Sequence, residues 1–215
     1  MKIPARYAGP PGSANGGVAA GLLAQTLGEA AVQVTLRRPP PLETDLRVEA
    51  GSLYDGDALV AVAVPGRVDL EPPPAVDVPA AAATAASYGG LVDHPFPGCF
   101  VCGTGRTDGL GLRPGNVAPG HVASVWTPAD DDPVMVWAAL DCPGGWSADL
   151  PGRPLVLGRT ALWLDRLPAV GEPHVVQGWT VGIEGRKVLT GTSLRSSDGR
   201  LLALAASTWL AIPPT

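Results

Sequence analysis

PVMVWAALDCPGGW, residues 133–146, is the stretch on which the reading of this chain turns. It is apolar at nearly every position. Asp130, Asp131 or Asp132 caps its start, and Pro133 suits the first helical position. A helix that is apolar on every side is a buried helix. One acid, Asp141, closes it, and Pro143 with the Gly144–Gly145 pair ends or kinks it. A buried carboxylate is costly unless partners satisfy it. At the C-terminal end of its own helix the dipole also opposes it. Local stability gives no reason for Asp141, which makes it the first candidate for function.

Working outward, alternating or apolar strand patterns follow at 155–164, 174–184, 187–195 and 201–212, with Asp198-Gly199 as a hairpin turn, and 121–128 reads as the strand before the helix. The first half shows the same plan. Asn15-Gly16-Gly17 leads into a helix, VAAGLLAQTLGEA, with Val18, Leu22, Leu23 and Leu27 on one face and Gly28 as its stop. Gly21 inside it costs about 1 kcal/mol against alanine, which close approach of a neighbouring backbone would offset. Strands follow at 31–38, 45–54 and 58–64, with Asp55-Gly56 as a hairpin turn. Residues 36–51 (LRRPPPLETDLRVEAG) match 164–179 (LDRLPAVGEPHVVQGW) at a constant shift of 128, placing Arg38 on Arg166, Pro40 on Pro168 and Val48 on Val176. Two copies of one supersecondary unit are expected, not a solenoid. Between them, 71–90 is rich in Pro and Ala without a period and reads as a linker or surface wrap. A glycine-rich, cysteine-bearing loop comes next. The predicted division is 1–70, a linker and loop over 71–118, and 119–215. Gly178, Thr180 and Gly182 on one strand face, with Gly191 in the next strand, leave room for a helix or ligand to approach closely.

The 215 residues are 46% apolar and 16% charged, enough to bury a core and too apolar for general disorder. A net charge of -5 and the lack of any basic run argue against nucleic acid or an anionic membrane as partner. No apolar stretch is long enough to span a bilayer. The N-terminus lacks the apolar core of a signal peptide. Three cysteines are too few for a disulfide framework, so a reducing, cytoplasmic setting is expected.

A central helix followed by antiparallel strands that wrap it, twice over, resembles the α+β double hotdog fold, and the pattern is similar to the acyl-CoA thioesterase II family. The resemblance rests on Asn15-Gly16-Gly17 opening helix one, ALDCPGGW (139–146) in helix two, and the ending DGRLLALAASTWLAI (198–212). It implies that Asp141, with a Thr and a Gln from nearby strands, orients the water that attacks a thioester. The Thr falls near Thr180. The Gln position falls at about Ser207, where this chain departs from the pattern, leaving Thr180, Ser207 and Thr208 as candidate partners.

Thioester hydrolysis needs a base for the attacking water and donors for the oxyanion, which bare glycine N–H groups at a helix start can provide. Single hotdog thioesterases tend to carry both on one helix, with an acid about nine residues after a His/Asn-Gly-Gly opening. Here nine residues after Asn15 stands Ala24, followed by Gln25, and nine before Asp141 stands Asp132, followed by Pro133, which has no N–H. Neither half is complete; together they are. The expectation is one composite site: Asp141 as base, Gly16 and Gly17 amides at the oxyanion, and no cofactor. An acyl-CoA or related thioester would be the partner, and a homo-oligomer of such fused pairs is compatible with it. The rival is a non-catalytic acyl or small-molecule binding protein on the same fold. Hydratase chemistry is disfavoured, because the residue five after Asp141 is Trp146 rather than His.

Cys99 and Cys102 form a C-x-x-C, with His94 ahead of it and Cys142 beside the acid. These four could make a Cys₃His zinc set. One C-x-x-C without a second pair is weak evidence, and Phe100 and Val101 suggest a packed loop, so no metal is assigned. Cys142 has no local His to make it a nucleophile. Gly103-Thr104-Gly105 lacks the lysine of a phosphate-binding loop. Arg106 and Arg113 are the candidates for contact with phosphates.

Overall fold

The computed structural model describes residues 1–148 and 153–212. Its strands are β1 (Ala31–Leu36), β2 (Arg47–Glu49), β3 (Ser52–Asp55), β4 (Ala58–Pro65), β5 (Gly115–Ala118), β6 (His121–Trp126), β7 (Leu155–Leu164), β8 (His174–Glu184), β9 (Lys187–Arg195) and β10 (Leu201–Ala211). They form one antiparallel sheet in the order β2-β3-β4-β1-β7-β10-β9-β8-β6-β5. The helices are α1 (Gly16–Ala24), α2 (Val78–Thr84), α3 (Pro133–Ala139) and α4 (Cys142–Ser147).

The seam between the halves is the β1–β7 ladder, and it carries the duplication. Ala31 pairs with Trp163, and Thr35 with Arg159. Moving each partner of the first pair by the 128-residue repeat yields the second, while Gln33–Ala161 maps onto itself. A pseudo-twofold axis therefore passes through that pair.

The units are unequal. In the second, β10 lies between β7 and β9; in the first, β4 pairs directly with β1 and no counterpart of β10 intervenes. The stretch 45–54, expected as one strand, is folded into the β2–β3 hairpin at Ala50 and Gly51, both with positive φ. This is a two-residue turn of the primed type that matches strand twist. Gly51 is needed there, because a Cβ would stand 2.7 Å from the Ala63 carbonyl oxygen. Ala at the first turn position carries no turn signal, which is why the bend is invisible in the pattern.

The chain leaves the sheet after β4 and crosses to the second unit. Gln177 receives the Val76 N–H and donates to the Pro74 carbonyl, and Arg195 donates to that of Pro73. Helix α2 then packs Ala81 on Ala123 and Val175. Their strand neighbours Val122 and Val176 belong to the main core, so α2 covers the opposite face of the sheet. Residues 85–112 return to the helix side. Phe100 takes a backbone bond to Ala8 and packs edge-on against Tyr7, while Tyr88 packs against Trp146.

Helices α1 and α3 are buried on every side, so neither shows an apolar stripe. Fully burying side chains such as Val18 and Leu23 contributes roughly 1.5–3 kcal/mol each. The two run antiparallel. Gln25, just past α1, bonds Asp132 at the start of α3; Gly17, at the start of α1, bonds Asp141 past the end of α3. Glycines permit this approach: a Cβ on Gly17 would lie 2.5 Å from the Trp137 carbonyl oxygen, and one on Gly21 would lie 2.9 Å from Trp137 Cβ. Similarly, a Cβ on Gly178 would meet the Pro143 carbonyl of α4 at 2.3 Å.

Candidate active site

Residues 133–146 are two short helices meeting at Asp141, not one helix ending there. Pro143 accounts for the break. It has no N–H for the Ala139 carbonyl, and its ring would clash with that group. The Leu140 carbonyl freed by the break accepts from Thr192 Oγ1 at 2.8 Å. The kink turns the Asp141 side chain toward α1. Its Oδ2 accepts from Asn15 Nδ2 at 2.7 Å and from the Gly17 N–H at 3.1 Å. The positive end of α1 thus faces the carboxylate and offsets the opposing dipole of α3. Asn15 is oriented without ambiguity, since its Oδ1 caps α1 by accepting from the Val18 N–H at 3.0 Å.

The other carboxylate oxygen, Oδ1, is buried without a partner. That costs free energy in the ionised form. Burial, reinforced by negative character at Cys99, pushes the Asp141 carboxyl up to about 7; the Gly17 N–H and Asn15 amide pull the other way.

Around this carboxylate lies a cavity of about 250 Å³. Asn15, Gly16, Asp141, Cys99, Cys102 and Cys142 line its polar floor, while Leu36, Phe96, Leu155, Leu157 and Trp209 form apolar walls. Pro10, Pro11, Arg37, Arg38 and Pro39 are also among the lining residues. Both arginines are exposed and form no ion pair among the described residues.

The structure thus brings Asp141, Asn15, Gly16 and Gly17 together from both halves. It spends the Gly17 N–H on the carboxylate, so that amide does not stand open to the cavity. The Gly16 N–H, first of α1, forms no hydrogen bond among the described residues. Thr180, Ser207 and Thr208 do not line the cavity. The Thr180 hydroxyl donates to the Ser147 carbonyl at the far end of α4, and Ser207 donates to Thr160 on the neighbouring strand. Neither hydroxyl bonds Asp141, whose hydrogen bonds run to Asn15 and Gly17. Arg106 is engaged by both oxygens of Asp108, each at 2.8 Å, and Arg113 is exposed away from the cavity.

The cysteine loop, read from the sequence as a packed loop without a site role, is part of the cavity floor. Cys99 and Cys142 Sγ lie 3.6 Å apart, and Asn15 Nδ2 is 3.8 Å from the first and 4.0 Å from the second. Trp146 Nε1 donates to Cys102 Sγ at 3.4 Å. All three cysteines are free and buried. Hydrogen bonds from the other two thiols and from the turn backbone hold the Cys99 thiol well below its ordinary value. Burial pushes Cys102 up, and the two neighbouring cysteines with burial push Cys142 up. His94 has both ring nitrogens committed: Nδ1 accepts from the Phe96 N–H and Nε2 donates to the Cys102 carbonyl. That is the neutral ring, and burial lowers its pKa. The sequence signals for this wall were the C-x-x-C, Cys142 beside the acid, and Phe100 and Val101 as packing residues.

No family model matches the chain, and no curated protein does. Solved structures do. A hotdog-fold protein from Alicyclobacillus acidocaldarius covers 100% of this chain and 92% of its own at 15% identity, with a TM-score of 0.62. The chain is a double hotdog. The same fold is seen in the tesB protein of Mycobacterium avium subsp. paratuberculosis (14% identity, 99% and 91% covered, TM-score 0.62). It is seen again in acyl-CoA thioesterase II TesB2 from Mycobacterium marinum (15% identity, 94% and 91% covered, TM-score 0.60). In this double hotdog, both halves contribute to the cavity floor. No helix among its described residues is long and apolar enough to cross a membrane.

Proposed function

We propose that this double hotdog hydrolyses an acyl-CoA-type thioester, with Asp141 as general base. The observation that carries the reading is the Asp141 carboxylate at the floor of the cavity, one oxygen held by Asn15 and Gly17 and the other without a partner. In the reaction, the free oxygen takes a proton from water as the water oxygen adds to the thioester carbonyl carbon. The Gly16 N–H at the helix start stabilises the oxyanion. Collapse of the tetrahedral intermediate breaks the C–S bond, and the departing sulfur regains the proton from Asp141, giving a carboxylic acid and a thiol. A carboxyl poised near neutrality suits that double role. The Gly17 N–H and Asn15 position the base rather than the carbonyl. Names of structures sharing the fold support the reaction class.

The cavity is smaller than the roughly 300–1,000 Å³ typical of drug-sized ligands, which favours a short or compact acyl group. Arg37 and Arg38 take the role given earlier to Arg106 and Arg113, meeting the phosphates of the carrier at the mouth. The division into hotdog units 1–70 and 119–215 belongs to this reading, as does a reducing compartment suited to three free cysteines. The test is thiol release from a panel of acyl-CoAs of increasing chain length. Wild type should release thiol, fastest from the short chains, and Asp141→Ala should not. Release that survives the substitution removes Asp141 from the mechanism, and tight binding without release favours a binding protein.

A further inference from the structure

The three cysteines converge from two separate parts of the chain. Cys99 and Cys102 sit on one tight turn, and Cys142 opens α4. Their Sγ atoms all lie within 4.8 Å of one another, with Cys99–Cys142 at 3.6 Å. A tetrahedral zinc ion at the usual distance of about 2.3 Å from thiolate sulfur places its ligands about 3.7 Å apart. Cys99 and Cys142 already stand at that spacing, and the remaining sulfurs need close by no more than about 1 Å to enclose one.

The turn is built for this convergence. The Gly103 N–H closes it on the Cys99 carbonyl at 2.9 Å, and a Cβ on Gly103 would stand 2.4 Å from the Pro97 carbonyl oxygen and 2.5 Å from that of Cys99. A side chain at position 103 would force this turn open. The surroundings also suit anionic sulfur: Trp146 Nε1 and Asn15 Nδ2 are donors that cannot accept, and they point at the sulfurs from two directions. His94 is not the fourth member, since both its ring nitrogens are engaged with the backbone. All three cysteines line the cavity, so the fourth position opens onto it.

We infer that Cys99, Cys102 and Cys142 form a three-thiolate site for zinc or a similarly thiophilic divalent cation, with its fourth position facing the cavity. The assignment is independent of the thioesterase reading, because three-thiolate binding is measured without turnover. The third ligand lies 40 residues beyond Cys102, and what the spacing alone left as weak evidence is carried by the convergence of the three sulfurs in space.

The experiment uses the full chain, reduced with a non-thiol reductant and freed of metal. It is titrated with Co²⁺ and then with Zn²⁺. One Co²⁺ per chain is expected, with the thiolate-to-cobalt charge-transfer band of three sulfurs, the visible bands of a tetrahedral ion, and displacement by one Zn²⁺. Bound Zn²⁺ should protect all three thiols from alkylation. Cys99→Ser, Cys102→Ser and Cys142→Ser should each reduce the band by about one third and weaken binding more than the roughly 10–100-fold expected of an outer-shell change. His94→Gln should leave the three-sulfur band in place. If a serine variant misfolds, the wild-type titration and the alkylation count still decide. No end point near one ion per chain, a two-sulfur band, or zinc-independent alkylation overturns the site. So does a Cys99–Cys142 disulfide that persists under the reductant. Thiol release from acyl-CoA, measured separately, tests the other reading alone.

Discussion

The antiparallel pair of central helices has two ends built from the same parts, and the parts are exchanged between them. At one end the amide Asn15 caps α1, and the acid Asp141 arrives from beyond α3. At the other the acid Asp132 caps α3, and the amide Gln25 arrives from beyond α1. Asp132 spends one oxygen on the Val134 N–H and on Gln25, in a half-exposed position. Asp141 is buried, stands before α4 without bonding it, gives one oxygen to Asn15 and the Gly17 N–H of α1, and keeps the other unpartnered. The lesson is one of burial: each acid engages one oxygen, but the spare oxygen of Asp132 lies in a half-exposed position that water can satisfy, whereas that of Asp141 is buried and has no partner.

The sharpest way to break the comparison is to remove each acid. Asp141→Asn should lower thiol release from a short acyl-CoA by about 10²–10⁴-fold, the range of a lost general base. Asp132→Asn should change it by no more than about twofold, as for a surface change of roughly 0.5 kcal/mol. Equal losses at both ends would mean that the ends are equivalent after all. Next comes Gly17→Ala. The added Cβ would stand 2.5 Å from the Trp137 carbonyl oxygen and 2.7 Å from Asp141 Cβ. A displacement of that kind should cost about 10²-fold in rate and about 1–3 kcal/mol in denaturant stability. The equivalent second helical position of α3 is Val134, which already carries a side chain.

Smaller effects separate the two amides. Asn15→Ala removes a cap and a bond to a buried carboxylate, and urea unfolding should show a loss of about 1–2 kcal/mol. Gln25→Ala, exposed and bonded at 3.3 Å, should fall within about 0.5 kcal/mol of wild type. Smallest of all, Thr180→Ala, Ser207→Ala and Thr208→Ala should leave thiol release within about twofold of wild type, because none lines the cavity. A loss of tenfold or more at any of the three would restore the strand partners that the family pattern suggests.

Much of this was legible in advance, and the failures have physical causes. The second unit's long strands read well: 155–164, 174–184 and 187–195 appear with those bounds. Each spans nine or more residues and carries enough side chains to establish its character. The 128-residue repeat announced the duplication that the β1–β7 ladder expresses. The split of the site into an Asn-Gly-Gly opening on one helix and an acid on the other was also visible, because each half lacked what the other kept. Four things were hidden, the last of them in part. The bend at Ala50-Gly51 has alanine where turn residues usually stand. Helix α2, VPAAAAT, is mostly alanine with one buried residue, so no periodicity betrays it. The pairing of Cys99 with Asn15 spans 84 residues and leaves no local trace. The spending of the Gly17 N–H on Asp141 follows from the Pro143 kink, which the sequence marks as a break without giving its direction.

The β1–β7 seam has a consequence for how the molecule is made. Strand β1 is covered on one side by β4 and on the other only by β7, which leaves the ribosome more than a hundred residues later. Until then β1 is a bare edge. Helix α1, apolar all round, also waits for α3. The nascent first half therefore carries both hazards that invite misassociation, an open strand edge and an unhoused apolar helix. Its fate during synthesis depends on how quickly residues 133–164 arrive to close it.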